Sequence, residues 1–134
     1  GAVFIHEQAQ AVGAQEDYVR REAETQRQIL QRRRKTYTPG REAISPEGRT
    51  VIVVDDGGAT GATMTAALHT VRQEQPRHLV AAMGVAPPKT VEALRAEADA
   101  VVCLETPRAF TAVGQAFVEF GEVTDAAVIE ALRD

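Results

Sequence analysis

Residues 51–61, VIVVDDGGATG, place four β-branched residues directly before two aspartates and a glycine-rich segment. An unbroken β-branched run is typical of a strand buried on both faces of a parallel sheet. Residues 62–74 then have the pattern of a helix, 78–86 of a strand, 87–98 of a helix that opens on two prolines, and 99–104 of a third strand. This alternation predicts an α/β fold, with right-handed crossovers, a parallel sheet and flanking helices.

The segments outside this alternation have a different pattern. Residues 15–36 predict one long charged helix with a thin apolar stripe, and such a stripe favours contact with a second copy of the chain as a homodimer. Val3–Ile5 predicts a short strand, and Thr124 predicts the N-cap of a closing helix. A length of 134 residues allows one domain. We expect residues 1–50 to form an N-terminal arm and the charged helix, and residues 51–134 to form the α/β core.

Composition excludes several classes of protein. No run of about 18 apolar residues exists, so we expect no membrane span. The single cysteine, Cys103, excludes an internal disulfide and is compatible with the cytoplasmic location that we expect. The net charge is −4 and aromatic residues make up 4% of the chain, so nucleic acid is not favoured as a partner. The basic cluster at residues 32–35 is expected to be a solvated helix face.

The segment 55–63 is the predicted binding site, because ligands of open parallel sheets bind beyond the carboxyl ends of the strands. Glycines at 57, 58 and 61 allow close approach of backbone N–H groups, and the following helix N-terminus favours a phosphate. No lysine follows Gly61, which excludes the nucleoside triphosphatase loop. Asp55 and Asp56 would repel a lone phosphate, so they indicate ligand hydroxyls or a divalent cation beside it. A sugar phosphate meets both requirements; the alternative is a simple strand-end turn.

Residues 51–63, VIVVDDGGATGAT, resemble the phosphoribosyl-pyrophosphate signature of the type I phosphoribosyltransferases, and residues 85–123 resemble a bacterial and archaeal branch of predicted phosphoribosyltransferases of unassigned acceptor. The resemblance implies a Rossmann-like core and a Mg²⁺-dependent enzyme that transfers the phosphoribosyl group to a nitrogenous base and releases pyrophosphate. It implies that Asp55 and Asp56 bind the ribose hydroxyls, directly or through Mg²⁺. The 5′-phosphate would be held by seven consecutive residues, Gly57, Gly58, Ala59, Thr60, Gly61, Ala62 and Thr63. Thr106 and Phe110 would line the acceptor pocket.

Two departures from the family pattern qualify the expected activity. Ala59 stands where some purine enzymes of the family have an acid, so no general base is supplied there. The family also has an earlier strand that ends in a pyrophosphate-binding loop, and residues 1–50 show no such pattern, so we expect an N-terminally truncated core. Asp55 and Asp56 are the nearest candidates for a catalytic role. The alternative function is a catalytically impaired regulatory module that binds a nucleotide or sugar phosphate.

Two further predictions concern packing. Phe110, Val113, Phe117 and Phe120 follow a near-helical spacing that predicts core positions. Cys103 lies in an apolar run and is predicted to be a buried small hydrophobe.

Overall fold

The structure, a computed structural model, describes residues 16–133. Within them the chain forms two compact units, one spanning Ile44–Phe120 and the other comprising residues 16–43 and 121–133. The strand predicted at Val3–Ile5 lies outside the described residues. The domain boundary predicted at residue 50 stays a prediction.

The unit Ile44–Phe120 contains the predicted strand–helix alternation. Strand β1 spans Thr50–Gly57, β2 His78–Val85 and β3 Ala100–Glu105, and all three pair in parallel in the order β1-β2-β3. Helix α2, Ala62–Gln73, connects the first two strands, and helix α3, Pro88–Leu94, connects the last two. The predicted α/β fold with a parallel sheet is therefore confirmed.

The core lies on one face of this sheet. Leu79, Ala81 and Met83 of β2 pack there against Leu68 of α2 and Leu94 of α3. Two right-handed crossovers that step in the same direction along a sheet put both helices on the same side, which explains why α2 and α3 share this core.

The opposite face of the sheet is exposed on β1 and β3, whereas Phe117 lies against Gly84 of β2 on the same face. Ile52 is 59% exposed and Val54 is 75% exposed on β1, and Leu104 is 78% exposed on β3. The prediction that the Val51–Val54 run is buried on both faces is therefore wrong for one face. A continuous β-branched run could not reveal this, because both α-helical connections pack on the other side.

Helix α2 begins at the predicted residue 62 and α3 begins one residue after the predicted start, but α3 ends early. The sequence pattern predicts that α3 reaches residue 98, yet the helix ends at Leu94 and the chain continues in turns. The turns lead to Asp99, whose carboxylate accepts a hydrogen bond from the Leu79 N–H at 2.7 Å. Both guanidinium NH groups of Arg72, in the last turn of α2, donate to the same carboxylate at 3.1 Å. Asp99 thus joins α2 to the amino end of the sheet.

The aromatic segment after β3 differs from the prediction. Only a short 3₁₀-helix, Val113–Ala116, forms there, and Phe120 is 54% exposed. The Phe117 and Phe120 rings stack with centroids 5.3 Å apart instead of entering the core. The predicted core positions are therefore wrong for these two residues, because one turn of 3₁₀-helix cannot present them on a common helix face. Cys103 is half-buried and packs against the core.

The second unit contains helix α1, Glu16–Tyr37, and helix α4, Asp125–Ala131. The Tyr37 hydroxyl donates to the Asp125 carboxylate at 2.8 Å, and Thr124 caps α4 by accepting from the Ala127 N–H at 3.3 Å. The long N-terminal helix and the Thr124 cap are confirmed, while the homodimer contact stays a prediction. No helix within residues 16–133 combines the length and the apolar character needed to cross a membrane.

Candidate functional site

The carboxyl ends of the three strands form one edge of the sheet. Gly57, Val85 and Glu105 are register partners across β1, β2 and β3, so they form a row at this edge. Neighbouring strands lie about 4.8 Å apart, which puts the two ends of the row roughly 10 Å apart. Two cavities open at this edge, and the row connects them.

The first cavity, the loop cavity, is formed by the segment between β1 and α2. Its volume is about 130 Å³, and it is lined by Asp55 and by all residues from Gly57 to Met64. Gly61 is buried and has φ 72° and ψ 4°, a left-handed conformation that glycine adopts without strain. Gly61 has no side chain with which to cap α2, and the Ala62 N–H at the start of the helix donates to the Thr60 hydroxyl at 3.4 Å. The positive end of the helix therefore faces this loop without a cap from Gly61.

The two aspartates precede this loop at the end of β1. Asp55 is half-buried and lines the loop cavity, whereas Asp56 is exposed and is not among the lining residues. The Asp56 N–H donates to Asp55 Oδ1 at 2.9 Å. Burial raises the pKa of Asp55, and the nearby charge of Asp56 also raises it, although the Asp56 N–H hydrogen bond acts in the opposite direction. A cation or a hydroxyl donor at this position would relieve the unfavourable burial of the charge.

The loop is held in place by residues that the sequence analysis did not single out. Thr90, near the start of α3, is 6% exposed, and its hydroxyl donates to the Ala59 carbonyl at 2.9 Å. The Gly58 N–H donates to the Val85 carbonyl at 3.1 Å. A Cβ on Gly57 would lie 2.6 Å from that carbonyl oxygen, so only glycine allows this close approach. A threonine in the first turn of a helix carries no local signal of such a contact, because its partner lies 31 residues away.

The second cavity, the strand-end cavity, lies beyond β2 and β3. Its volume is about 460 Å³, and Val85, Glu105, Phe110 and Gln115 are among its lining residues. Phe110 therefore lines a cavity beside the loop, whereas Thr106 is exposed and is not among the lining residues. Val85 belongs to this cavity and bonds to the loop through its carbonyl, so the two cavities are neighbours. Ligand sites commonly measure ~300–1,000 Å³, so this cavity has room for a ring, and the loop cavity for a single small group.

Asp55 and Asp56 are the carboxylates at the start of the loop. Within residues 16–133, no group of three or more His, Cys, Asp or Glu side chains could hold a metal ion. Mg²⁺ is usually bound through one or two carboxylates, while substrate phosphates and water supply the other oxygens. The pair therefore fits a Mg²⁺ ion that binds together with a phosphorylated ligand.

Other residues considered in the sequence lie away from this edge. His78 begins β2, at the opposite end of the strand, with its Nδ1 3.7 Å from the Asp99 carboxylate. Arg34 and Lys35, from the basic cluster, line a separate groove with Arg41 in the second unit. Lys89 is exposed in the first turn of α3 and lines neither cavity at the sheet edge.

Comparison with known proteins places this site in a wider context. A family model described as "Phosphoribosyl transferase domain" matches residues 1–117. Two proteins from Mycobacterium tuberculosis, strains CDC 1551 / Oshkosh and ATCC 25618 / H37Rv, each bear the name "Putative phosphoribosyl transferase". Each is 41% identical to this chain over 100 residues, which are 75% of this chain and 23% of the relative. The chain thus matches about a quarter of the length of these curated relatives.

A solved structure is also similar. The crystal structure of TT1426 from Thermus thermophilus has a TM-score of 0.77 and 48% sequence identity to this chain. The match covers 89% of this chain and 57% of that one.

Proposed function

This chain belongs to the phosphoribosyl transferase family, and we propose that it binds phosphoribosyl pyrophosphate at the carboxyl edge of its sheet and transfers the phosphoribosyl group to a nitrogenous acceptor. The observation that carries this proposal is the loop cavity. A left-handed glycine, an uncapped helix N-terminus and a half-buried carboxylate line one small space there. A phosphate joined to a hydroxyl-bearing sugar matches that combination of donors and acceptors.

Each part of the loop cavity has a role in this proposal. Backbone N–H groups of the 57–63 segment donate to the 5′-phosphate, apart from those of Gly58 and Ala62, which bond to the Val85 carbonyl and the Thr60 hydroxyl. The hydroxyls of Thr60 and Thr63 add further donors. The Asp55 and Asp56 carboxylates accept hydrogen bonds from the ribose 2′- and 3′-hydroxyls. The Thr90–Ala59 hydrogen bond holds the loop in this conformation before the ligand arrives.

In the proposed reaction, the bond from ribose C1 to the pyrophosphate oxygen breaks and its electron pair leaves with pyrophosphate. A nitrogen lone pair of the acceptor forms the new bond to C1, and the acceptor N–H proton passes to water. The chain contributes positioning and charge stabilisation and forms no covalent bond to the substrate. Where Asp55 and Asp56 bind the ribose hydroxyls through a Mg²⁺ ion instead of directly, that ion would offset negative charge on the leaving pyrophosphate.

A second candidate function is a regulatory module that binds the same ligand without transferring it. Ala59 favours this candidate, since a methyl group at that loop position can neither accept nor donate a proton. The two candidates share the loop cavity and differ only in turnover.

Calorimetry with phosphoribosyl pyrophosphate and Mg²⁺ tests the shared part of the proposal. We expect binding by the full chain, and binding about tenfold or more weaker in Asp55→Asn, because a hydrogen bond to a charged group contributes about 1.5–3 kcal/mol. Glu74→Gln is the matched control, since it removes one exposed carboxylate beyond the far end of α2. Equal affinity in the wild type and Asp55→Asn would overturn the site assignment.

A pyrophosphate-release assay over a panel of nitrogenous bases then separates the two functions. Release with one base or more supports transfer. Binding without release for every base supports the regulatory module and rejects the enzyme.

A further inference from the structure

The strand-end cavity has a distinctive distribution of polar groups. Its walls are formed mainly by apolar side chains, among them Val85, Pro107 and the half-buried Phe110. Among the described residues that line it, Glu105 bears the one charge and Gln115 is the one uncharged polar side chain. No cationic side chain lines it, and Arg108, two residues before Phe110, is exposed outside the lining. A ligand in this cavity therefore meets a carboxylate and an amide against an apolar wall.

Glu105 is positioned by its backbone. Its carbonyl accepts the Ala86 N–H at 3.2 Å and the Cys103 thiol at 3.3 Å, at the last residue of β3. Its side chain is exposed, and within residues 16–133 no ion pair neutralises its carboxylate. Its backbone position is thus fixed, while the carboxylate stays open to a ligand.

The distance from the loop also suits a two-part ligand. Glu105 is in register with Val85, which is in register with Gly57, so the carboxylate starts roughly 10 Å from the loop across two strand spacings. That separation suits a ring attached to a sugar whose phosphate lies in the loop cavity.

We propose that Glu105 and Gln115 determine which acceptor is used. The acceptor is a planar nitrogen heterocycle that presents an amino group and ring N–H or N sites, and acceptors that carry a carboxylate are excluded. This inference rests on the proposed function, because it specifies the acceptor of the same site. The carboxylate accepts from the amino group, and the Gln115 amide can both donate to and accept from the ring edge. An acceptor carboxylate would instead lie beside a second negative charge, with no cation in the lining to compensate.

The test compares two ring fragments of similar size, 2-aminopyridine and pyridine-2-carboxylate, by ligand-observed NMR titration of the full chain, with and without phosphoribosyl pyrophosphate. We expect the aminopyridine to bind at least about tenfold more tightly than the carboxylate. Glu105→Gln should weaken aminopyridine binding about tenfold, the usual size of a lost charged hydrogen bond. Glu105→Lys should reverse the preference. Glu92→Gln, an exposed glutamate on α3 outside both cavities, should change neither affinity.

The outcomes separate this inference from the proposed function. If phosphoribosyl pyrophosphate binds but the two fragments bind equally, or Glu105→Lys does not change their order, the acceptor inference is wrong and the proposed function stands. If the aminopyridine preference depends on Glu105 while phosphoribosyl pyrophosphate does not bind, the cavity assignment holds and the proposed function is wrong. An unchanged amide NMR spectrum for β2 residues identifies variants that keep the native fold.

Discussion

Gly61 provides the sharpest test of how the loop is built, through the substitution Gly61→Ala. The new Cβ would adopt φ +72° and lie 2.9 Å from Thr90 Cγ2 and 3.7 Å from Leu94 Cδ2. The left-handed conformation costs an L-residue about 1–2 kcal/mol. Overpacking a tight site adds about 1–3 kcal/mol, so we expect a total loss of about 2–5 kcal/mol in the free energy of unfolding.

Gly48→Ala is the matched control for the conformational part. Gly48 lies in the same unit with φ +66°, and a Cβ there would meet no atom within 4 Å. Its substitution should therefore cost only about 1–2 kcal/mol. The difference between the two variants isolates the contact with Thr90.

Urea titration followed by the amide NMR signals of β2 measures this difference directly. At a denaturant dependence of about 2 kcal/mol/M, the extra ~1–3 kcal/mol lowers the midpoint of Gly61→Ala by about 0.5–1.5 M relative to Gly48→Ala. The double variant Gly61→Ala/Thr90→Ser removes the clashing methyl and keeps the hydroxyl that bonds to Ala59, so it should recover part of the loss. Equal midpoints for the two single variants would refute the reasoning, and so would a double variant in which the losses simply add.

Three further predictions concern charges and caps. The Arg72 hydrogen bonds and the Leu79 N–H lower the pKa of Asp99, so the stability that its carboxylate contributes is present at neutral pH and is lost as the pH falls through about 3.9 and below. Asp99→Asn should therefore be less stable than the wild type at pH 7, and the difference should shrink in a series of denaturation experiments at falling pH. A difference that stays constant with pH would contradict this. Burial raises the pKa of Asp55, so ionisation of its carboxyl destabilises the fold as the pH rises through the raised pKa. Asp55→Asn should therefore unfold at a higher temperature than the wild type at pH 7 and lose this advantage near pH 4. A lower melting temperature of the variant at pH 7 would count against this reasoning. Thr124→Ala should destabilise α4 by about 0.5–2 kcal/mol, because the helix loses its N-cap. The measurement is amide hydrogen exchange, which should become faster in residues 125–131 and stay unchanged in β2. Unaltered exchange in α4 would show that the cap contributes nothing.

The part of the fold that depends on local pattern could be predicted from the sequence. The β-branched run, the glycine-rich break and the apolar strand at His78–Val85 each carry their signal within a few residues, and all three elements were found. The early end of α3 had no local signal, and the turns that follow it lead to Asp99, whose partners Leu79 and Arg72 lie 20 and 27 residues away in the chain. The open sheet face was missed for a similar reason, because strand composition does not show on which side the helices pack.

The residues of the candidate site also fall into a group that could be predicted from local sequence and a group that could not. Asp55 and residues 57–63 could be predicted as one site, because they are contiguous and the strand–loop–helix order determines where the loop lies. Val85 and Glu105 reach the same edge through the register of β2 and β3, and Thr90 of α3 reaches the loop through its hydrogen bond to Ala59. The two exposed phenylalanines, Phe117 and Phe120, show the opposite error, in which a helical spacing was present but no helix of sufficient length formed.

The open face of the sheet has a calorimetric consequence. Unfolding raises heat capacity chiefly through the apolar surface that it newly wets, at about 12–15 cal/mol/K per residue in ordinary domains. Ile52, Val54 and Leu104 already contact solvent in the folded chain, so their hydration changes little when the strands separate. The heat-capacity increment of unfolding should therefore be smaller than in a domain of equal size whose sheet is covered on both faces, and the curve of stability against temperature should be flatter.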